Sequence, residues 1–196
     1  MREVGYFRLD QDLVSLGWVR RQLEGAKLAQ GDQQMRRLEQ IVRYEDPGPG
    51  GFYDSAQKGR HPHLVKGDTY DVSQWMDPAN RASQNTVAYS FDEGKGVVFR
   101  YTGLEPSAHY RVRLTMVVPR VPQSEMPRGL VRPRQHVLAD GEYLAREVEI
   151  PVFTAQQLEY DIPQAATRDG TLELAFEKMK GGMGTVVSEV WLMKEQ

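Results

Sequence analysis

The sequence contains no cysteine, which excludes disulfide bonds, thiolate metal sites and a cysteine nucleophile. It also lacks an excess of basic residues, because 25 Lys and Arg residues are set against 27 Asp and Glu residues for a formal net charge of −2. Proteins whose main partner is a nucleic acid carry a broad basic surface. We therefore expect no nucleic-acid partner.

Long apolar segments are absent as well. No run approaches the roughly 20 apolar residues that a membrane-spanning helix needs, and residues 1–10 contain no apolar stretch typical of a secretory signal. We therefore expect no membrane partner and no export signal in this chain. The localisation stays open, since a detached piece of a periplasmic or secreted parent protein would also lack its targeting signal.

What the sequence does have is turn residues, with 18 Gly and 11 Pro, and 40% hydrophobic residues, which is enough for one packed core. Apolar and polar residues alternate in residues 110–118 and 172–176, as in half-buried strands, while residues 186–193 are largely apolar and predict a central strand. Asp-Gly pairs at 140–141 and 169–170 predict tight turns. The pattern predicts a mainly β protein, an antiparallel β-sandwich of the jelly-roll type.

The organisation along the chain has two parts. Residues 10–43 show helical periodicity, and the pattern ends at the Pro- and Gly-rich residues 44–54. Residues 55–85 show little periodicity and predict a long irregular region, which in a compact domain is often functional. We predict a short N-terminal helical connector at 1–43 and a β-sandwich module at 44–196.

Several segments resemble a known family. The segments FRYTGLEP (99–106) and YRVR (110–113) resemble the strand–turn–strand of galactose-binding-like β-sandwiches, and so do ADGEY (139–143) and SEVWL (188–192). The segment YEDPGPGGFYD (44–54) resembles one that precedes such a sandwich near the C-terminus of large bacterial polysaccharide-degrading proteins. The resemblance implies a carbohydrate-binding-module-like jelly roll attached to a catalytic region that this chain lacks.

The irregular region carries the candidate ligand site. Sugar recognition needs aromatic faces against the C–H face of a pyranose, together with polar groups for its hydroxyls, and residues 52–77 interleave both kinds of side chain. The alternative is that the large aromatic side chains anchor the loop to the core. A zinc site on the paired histidines lacks an identifiable third ligand. The predicted ligand-binding residues are Tyr53, His61, His63, Tyr70 and Trp75.

Acidic residues around the glycine-rich turn suggest a structural calcium ion. Asp46 and Asp54, with Glu45, bracket a turn whose carbonyl oxygens could complete a shell of hard oxygen ligands. The family resemblance supports this prediction, because jelly-roll carbohydrate modules often hold a structural calcium. The alternative is ordinary turn chemistry, in which Asp side chains accept bonds from backbone N–H groups.

Catalytic motifs are not recognisable: the spacing pairs no two carboxylates for glycoside hydrolysis, and no nucleophile elbow, P-loop or dinucleotide fingerprint occurs. We therefore predict a non-catalytic carbohydrate-binding or accessory module of a bacterial polysaccharide-degrading system. Its partners would be a polysaccharide or oligosaccharide and a fused or separate catalytic domain. The alternatives are a purely structural sandwich packed on a missing catalytic domain, and a small glycoside hydrolase or polysaccharide lyase. The basic segment 120–134 suggests an acidic polysaccharide as one possible ligand.

Overall fold

A computed structural model of the chain describes residues 6–9, 12–71, 80–118, 134–152, 154–180, 182 and 184–195, with side chains from Ser15 onward. The helices are α1 (Leu16–Lys27) and α2 (Gly31–Val42). The strands are β1 (Tyr6–Leu9), β2 (Asp12–Ser15), β3 (Phe52–Ser55), β4 (Leu64–Lys66), β5 (Asp68–Asp71), β6 (Thr86–Ser90), β7 (Lys95–Thr102), β8 (Tyr110–Met116), β9 (Arg134–Ala139), β10 (Glu142–Glu149), β11 (Gln156–Ile162), β12 (Thr171–Lys178), β13 (Thr185–Val187) and β14 (Glu189–Lys194).

Two sheets form the body of the molecule. One has five strands in the order β10-β9-β12-β7-β4, and the other has four in the order β11-β8-β14-β3. A three-stranded sheet, β13-β6-β5, and the β1–β2 hairpin complete the described fold. Every pairing between these named strands is antiparallel. The predicted mainly β, antiparallel sandwich with an N-terminal helical segment is confirmed.

The core lies between the five- and four-stranded sheets because each sends alternate side chains inward. Val97, Phe99 and Tyr101 of β7 belong to the same buried cluster as Val112 and Leu114 of β8. Strand β14 lies between β8 and β3, so the predicted central strand is confirmed, although Ser188 separates it from β13. The alternation that indicated half-buried strands therefore follows from one inward-facing and one outward-facing side of each sheet.

The predicted helical stretch began too early. Residues 12–15 form strand β2, which pairs with β1, and α1 begins only at Leu16. The hydroxyl oxygen of Ser15 accepts a hydrogen bond from the backbone N–H of Trp18 at 3.0 Å. Such a cap satisfies one of the free donors at a helix start and fixes where the helix begins.

The helical segment packs on the outer face of the four-stranded sheet. The ring of Tyr44 lies edge-on to Trp18, at 5.4 Å between centroids, and edge-on to Trp191 of β14, at 5.2 Å. The indole N–H of Trp191 donates to the Tyr44 backbone oxygen at 2.9 Å. The guanidinium of Arg81 lies 4.0 Å from the Tyr44 ring centroid and 4.8 Å from that of Trp18. These contacts hold the helices against the sandwich.

The region predicted as irregular contains two strands. Residues 64–66 form β4 at the edge of the five-stranded sheet, and residues 68–71 form β5 at the edge of the three-stranded sheet. Both are short, and every residue of β5 is exposed. Edge strands that bury no face carry no alternating apolar signal, so the sequence pattern could not reveal them.

Candidate functional site

Tyr53 lies on the outer face of the four-stranded sheet, opposite Trp191 in the β3–β14 register. Its hydroxyl donates to a carboxylate oxygen of Glu189 at 3.1 Å, and the hydroxyl of Tyr44 donates to the other oxygen at 2.8 Å. Burial first, and then the neighbouring Glu189 charge, raise the pKa of both tyrosine hydroxyls well above its usual value. The polar end of Tyr53 is therefore engaged inside the protein.

Glu189 is the buried centre of this polar cluster, with 1% of its surface exposed. Burial raises the pKa of its carboxyl, while hydrogen bonds from Ser83, Thr115 and Tyr44 and the charge of Arg81 lower it and offset only part of the increase. A buried carboxyl with a raised pKa is a candidate general acid. Glu189, however, is almost fully buried, and both of its carboxylate oxygens already accept hydrogen bonds, from Tyr44 and Tyr53.

His63 and Asp54, predicted as separate sugar and metal ligands, bind each other. Asp54 is fully buried on the inner side of β3; its carboxylate lies 2.8 Å from His63 Nδ1 and accepts the backbone N–H of His63 at 3.1 Å. The hydroxyl of Tyr101 donates to the same carboxylate at 3.1 Å. Burial, followed by the Asp54 charge, raises the pKa of Tyr101 well above its usual value. This arrangement fastens the 56–63 loop to the end of the sandwich.

The acidic residues Asp46 and Glu45 of the glycine-rich turn bind different partners. The side chain of Asp46 accepts the backbone N–H of Gly48 at 2.9 Å, which is the turn chemistry considered as the alternative. Glu45 binds Arg60 and lies 3.4 Å from Arg81. Within the described ranges, no three acidic or histidine side chains are arranged to hold a metal ion. The calcium ion at Asp46 and Asp54 stays a prediction.

The remaining predicted ligand residues are His61, Tyr70 and Trp75. His61 is half-buried in the loop before β4. Trp75 lies outside the described residues. Tyr70 lies on β5 with 51% of its surface exposed, so it is available to a ligand. The structure thus leaves Tyr70 as the starting point for a site, and its surroundings decide the nature of that site.

Tyr70 shares one face of the three-stranded sheet with further aromatic side chains. Directly opposed residues of an antiparallel pair project to the same face, and the register pairs Asp68 with Tyr89 and Tyr70 with Val87. Tyr70 and Tyr89 are therefore diagonal neighbours on that face, about 7–8 Å apart, which long aromatic side chains can span. We call Asp68, Tyr70, Tyr89 and Phe91 together the aromatic face.

Phe91 extends this surface beyond the end of β6. Its ring meets the ring of Tyr89 edge-on at 5.4 Å, and 65% of Phe91 is exposed. Tyr89 itself is half-buried, and its ring packs against one side of the more exposed Phe91 ring. A single exposed apolar ring is common on protein surfaces, but exposed aromatic rings that adjoin one another form a patch of the kind found at binding surfaces.

Tyr89 and Phe91 were not among the residues predicted from the sequence. Val87, Tyr89 and Phe91 alternate with smaller residues, so they match a buried strand face as well as an exposed one. The only available signal was the charged turn directly after Phe91, formed by Asp92 and Glu93. Such a turn places the preceding residue near the surface.

A second exposed surface lies on α1. Leu16 is 44% exposed and Leu23 is 40% exposed, on the side of the helix that faces away from Trp18. A shallow open groove follows this side, lined by Leu16, Val19, Arg20, Leu23, Glu24 and Lys27. Neither helix in the described part of the chain has the length and apolar character that crossing a membrane requires.

Comparisons with known proteins give a fold and no family. No family model matches the sequence, and a search of curated proteins gives no match. The fold is similar to part of a β-glucuronidase from Bacteroides uniformis, with a TM-score of 0.53 and 10% identity over 74% of this chain and 18% of that chain. It is also similar to the ANXUR2 extracellular domain from Arabidopsis thaliana, with a TM-score of 0.53 and 11% identity over 74% of this chain and 41% of that chain.

These likenesses show the fold alone, because the identities are low. The chain spans less than half the length of either protein. A sandwich of this kind therefore forms part of larger proteins as different as a β-glucuronidase and a plant extracellular domain, and function has to be argued from the residues of the site.

Proposed function

We propose that this chain is a non-catalytic carbohydrate-binding module and that the aromatic face is its sugar-binding surface. The observation that carries the proposal is the exposure of Tyr70 and Phe91 beside Tyr89. Aromatic rings stack on the C–H face of a pyranose, and a neighbouring carboxylate such as Asp68 accepts bonds from sugar hydroxyls. The aromatic rings and the Asp68 carboxylate occur together on this face.

Support also comes from the way the face is built. The aromatic face is part of a sheet that is fastened to the core. Val87 and Val186, which lie on the same side as Tyr70 and Tyr89, and Ala88 and Val187, on the opposite side, are all buried in the main cluster. Rigid elements hold binding groups more accurately than loops do. A similar fold also forms part of a β-glucuronidase, which is a carbohydrate-active enzyme.

The test is binding of the chain to soluble polysaccharides, measured by affinity gel electrophoresis and isothermal titration calorimetry. A panel of mixed-linkage β-glucan, xyloglucan, galactomannan, polygalacturonate and alginate covers neutral and acidic polymers. We expect saturable binding to at least one polymer. Tyr70→Ala and Phe91→Ala should each weaken it about tenfold, equivalent to about 1.4 kcal/mol.

The matched control is Tyr143→Ala. Tyr143 is 40% exposed on edge strand β10 of the five-stranded sheet, away from the three-stranded sheet. Exposed substitutions of this kind usually change stability by less than about 0.5 kcal/mol, so all three variants should remain folded. Binding that is unchanged in the Tyr70 and Phe91 variants, or no binding to any polymer, would contradict the proposal.

A second candidate function is structural contact with another domain. The exposed Leu16 and Leu23 on α1 favour it, because apolar residues along a helix groove suit a packing surface. A well-folded chain that binds none of the polymers would favour this function over the first.

A further inference from the structure

The charges around the aromatic face narrow the class of sugar, if the proposed function holds. Four lysines lie on the segments that flank Phe91 and Asp68. Three of them are held by acidic residues of the chain, whereas Lys180, in the turn between β12 and β13, is exposed. The pairs are Lys66–Asp92 at 3.3 Å, Lys95–Glu173 at 2.7 Å and Lys178–Glu93 at 2.6 Å. These three lysines therefore already have acidic partners in the chain.

The negative charge on the face is not neutralised in the same way. Asp68 is exposed, lies directly opposite Tyr89, and makes no ion pair with any residue that the structure describes. A ligand stacked on Tyr70 or Phe91 would therefore meet a free carboxylate beside the rings. The hydroxyls of a neutral sugar can donate to that carboxylate, whereas the carboxylate of a uronic acid is repelled by it.

The arginine-rich segment does not reverse this balance in the described residues. Arg134, the last residue of that segment, forms an ion pair with Glu147 on the neighbouring strand β10. Residues 119–133 lie outside the described ranges. An acidic polysaccharide would have to compete with Asp92, Glu173 and Glu93 for the three paired lysines.

We infer that the aromatic face selects uncharged polysaccharides and disfavours polymers of uronic acids. This inference rests on the proposed function, because it concerns the ligand class of the same surface. The ring surfaces of Tyr70 and Phe91 supply affinity for the C–H face of the sugar, and Asp68 supplies the discrimination. The two contributions can be removed separately.

The experiment compares galactomannan and mixed-linkage β-glucan with polygalacturonate and alginate at 20 mM and 300 mM NaCl. We expect the neutral polymer that binds best to bind at least tenfold more tightly than either uronate polymer at low salt. High salt should reduce this difference in affinity between neutral and uronate polymers, because exposed charges are screened over about 10 Å at 0.1 M ionic strength. Asp68→Asn should reduce the affinity ratio between neutral and uronate polymers about threefold or more at low salt. Its affinity for the neutral polymer should stay within about threefold of wild type, because the amide keeps an acceptor without the charge.

Glu142→Gln is the control, because Glu142 is an exposed carboxylate on β10 outside the aromatic face. It should leave the affinity ratio unchanged. Equal or tighter binding of polygalacturonate or alginate would overturn the inference while the proposed function stood. An unchanged affinity ratio in Asp68→Asn would overturn the role of Asp68, and no binding to any of the four polymers would overturn the proposed function itself.

Discussion

Removal of the Asp54 carboxylate tests how the 56–63 loop is fastened to the sandwich. Asp54 is fully buried and accepts bonds from the His63 backbone and the Tyr101 hydroxyl, with the His63 ring at 2.8 Å. We expect Asp54→Ala to lower the free energy of unfolding by about 2–6 kcal/mol, because the His63 backbone N–H and the Tyr101 hydroxyl each lose their acceptor, at about 1–3 kcal/mol per group. The loop connecting β3 to β4 should become locally unstable at the same time.

Part of that cost comes from Tyr101, which is 0% exposed and whose hydroxyl would lose its acceptor. A buried hydroxyl without a partner costs about 1–3 kcal/mol. Tyr101→Phe in the Asp54→Ala background should therefore recover about 1–3 kcal/mol relative to Asp54→Ala alone. In the wild-type background the same Tyr101→Phe change should be destabilising by about 1 kcal/mol.

The assay is urea unfolding of the four proteins of this double-mutant cycle, followed by tryptophan fluorescence and circular dichroism. A sign reversal of the Tyr101→Phe effect between the two backgrounds is the expected result. Additive effects would refute the reasoning, because they would mean that the Asp54 carboxylate and the Tyr101 hydroxyl do not interact. The same unfolding curves with calcium and with EDTA test the calcium prediction: a calcium-dependent gain in stability that Asp54→Ala abolishes would support it.

Two further predictions concern buried polar groups. Burial raises the pKa of the Glu189 carboxyl in the folded protein. The carboxyl therefore contributes stability that is fully present below its unfolded-state pKa of about 4.3 and is lost as the pH rises through its higher folded-state pKa. Wild type should gain stability relative to Glu189→Gln as the pH falls from 8 to 4.5. Gln135 is fully buried, donates to the Val186 backbone oxygen at 3.0 Å and accepts its N–H at 2.8 Å. Gln135→Leu should cost about 1–3 kcal/mol for each backbone group left without a partner, measured by urea unfolding.

Each of these two changes has a matched control. Glu159→Gln removes an exposed carboxylate paired with Arg113 on the same outer sheet face, and an exposed ion pair contributes about 1 kcal/mol or less. Gln156→Leu changes an exposed glutamine of β11 and should be close to neutral. A stability difference that stays flat with pH for Glu189→Gln, or a Gln135→Leu variant as stable as Gln156→Leu, would contradict the respective argument.

The body of the fold could be predicted because its strands bury one face each. Residues 110–116 and 171–178 show the alternation that β8 and β12 require, since one side of each faces the core. Strands β2, β4 and β5 could not be predicted, because they are three or four residues long. The pairing of β4 and β5 depends on strands β7 and β6, which lie further along the chain. A short strand of this kind leaves no periodic trace in the sequence.

The candidate site was only partly accessible from the sequence. Tyr70 was recognised as an aromatic residue among polar ones, but its neighbours on the aromatic face are Tyr89 and Phe91, which are 19 and 21 residues further along the chain. The partners of Tyr53 and His63 were equally hidden. Tyr53 meets Glu189 across the β3–β14 pair, and His63 meets Asp54, which was predicted as a metal ligand. Strand pairing brings Tyr70 near Tyr89 and Tyr53 near Glu189, and the folding of the 56–63 loop brings His63 to Asp54. Spacing along the chain encodes none of these contacts.

The central claim is that a sugar binds the aromatic face. The most direct measurement is titration of the ¹⁵N-labelled chain with a neutral oligosaccharide cut from the polymer that binds best, followed by backbone amide chemical shifts. We predict saturable shifts concentrated in β5, β6 and the turn from Phe91 to Gly94. Shifts confined to β3, β14 and the 56–63 loop, or no saturable shifts with oligosaccharides from any of the polymers, would contradict the claim.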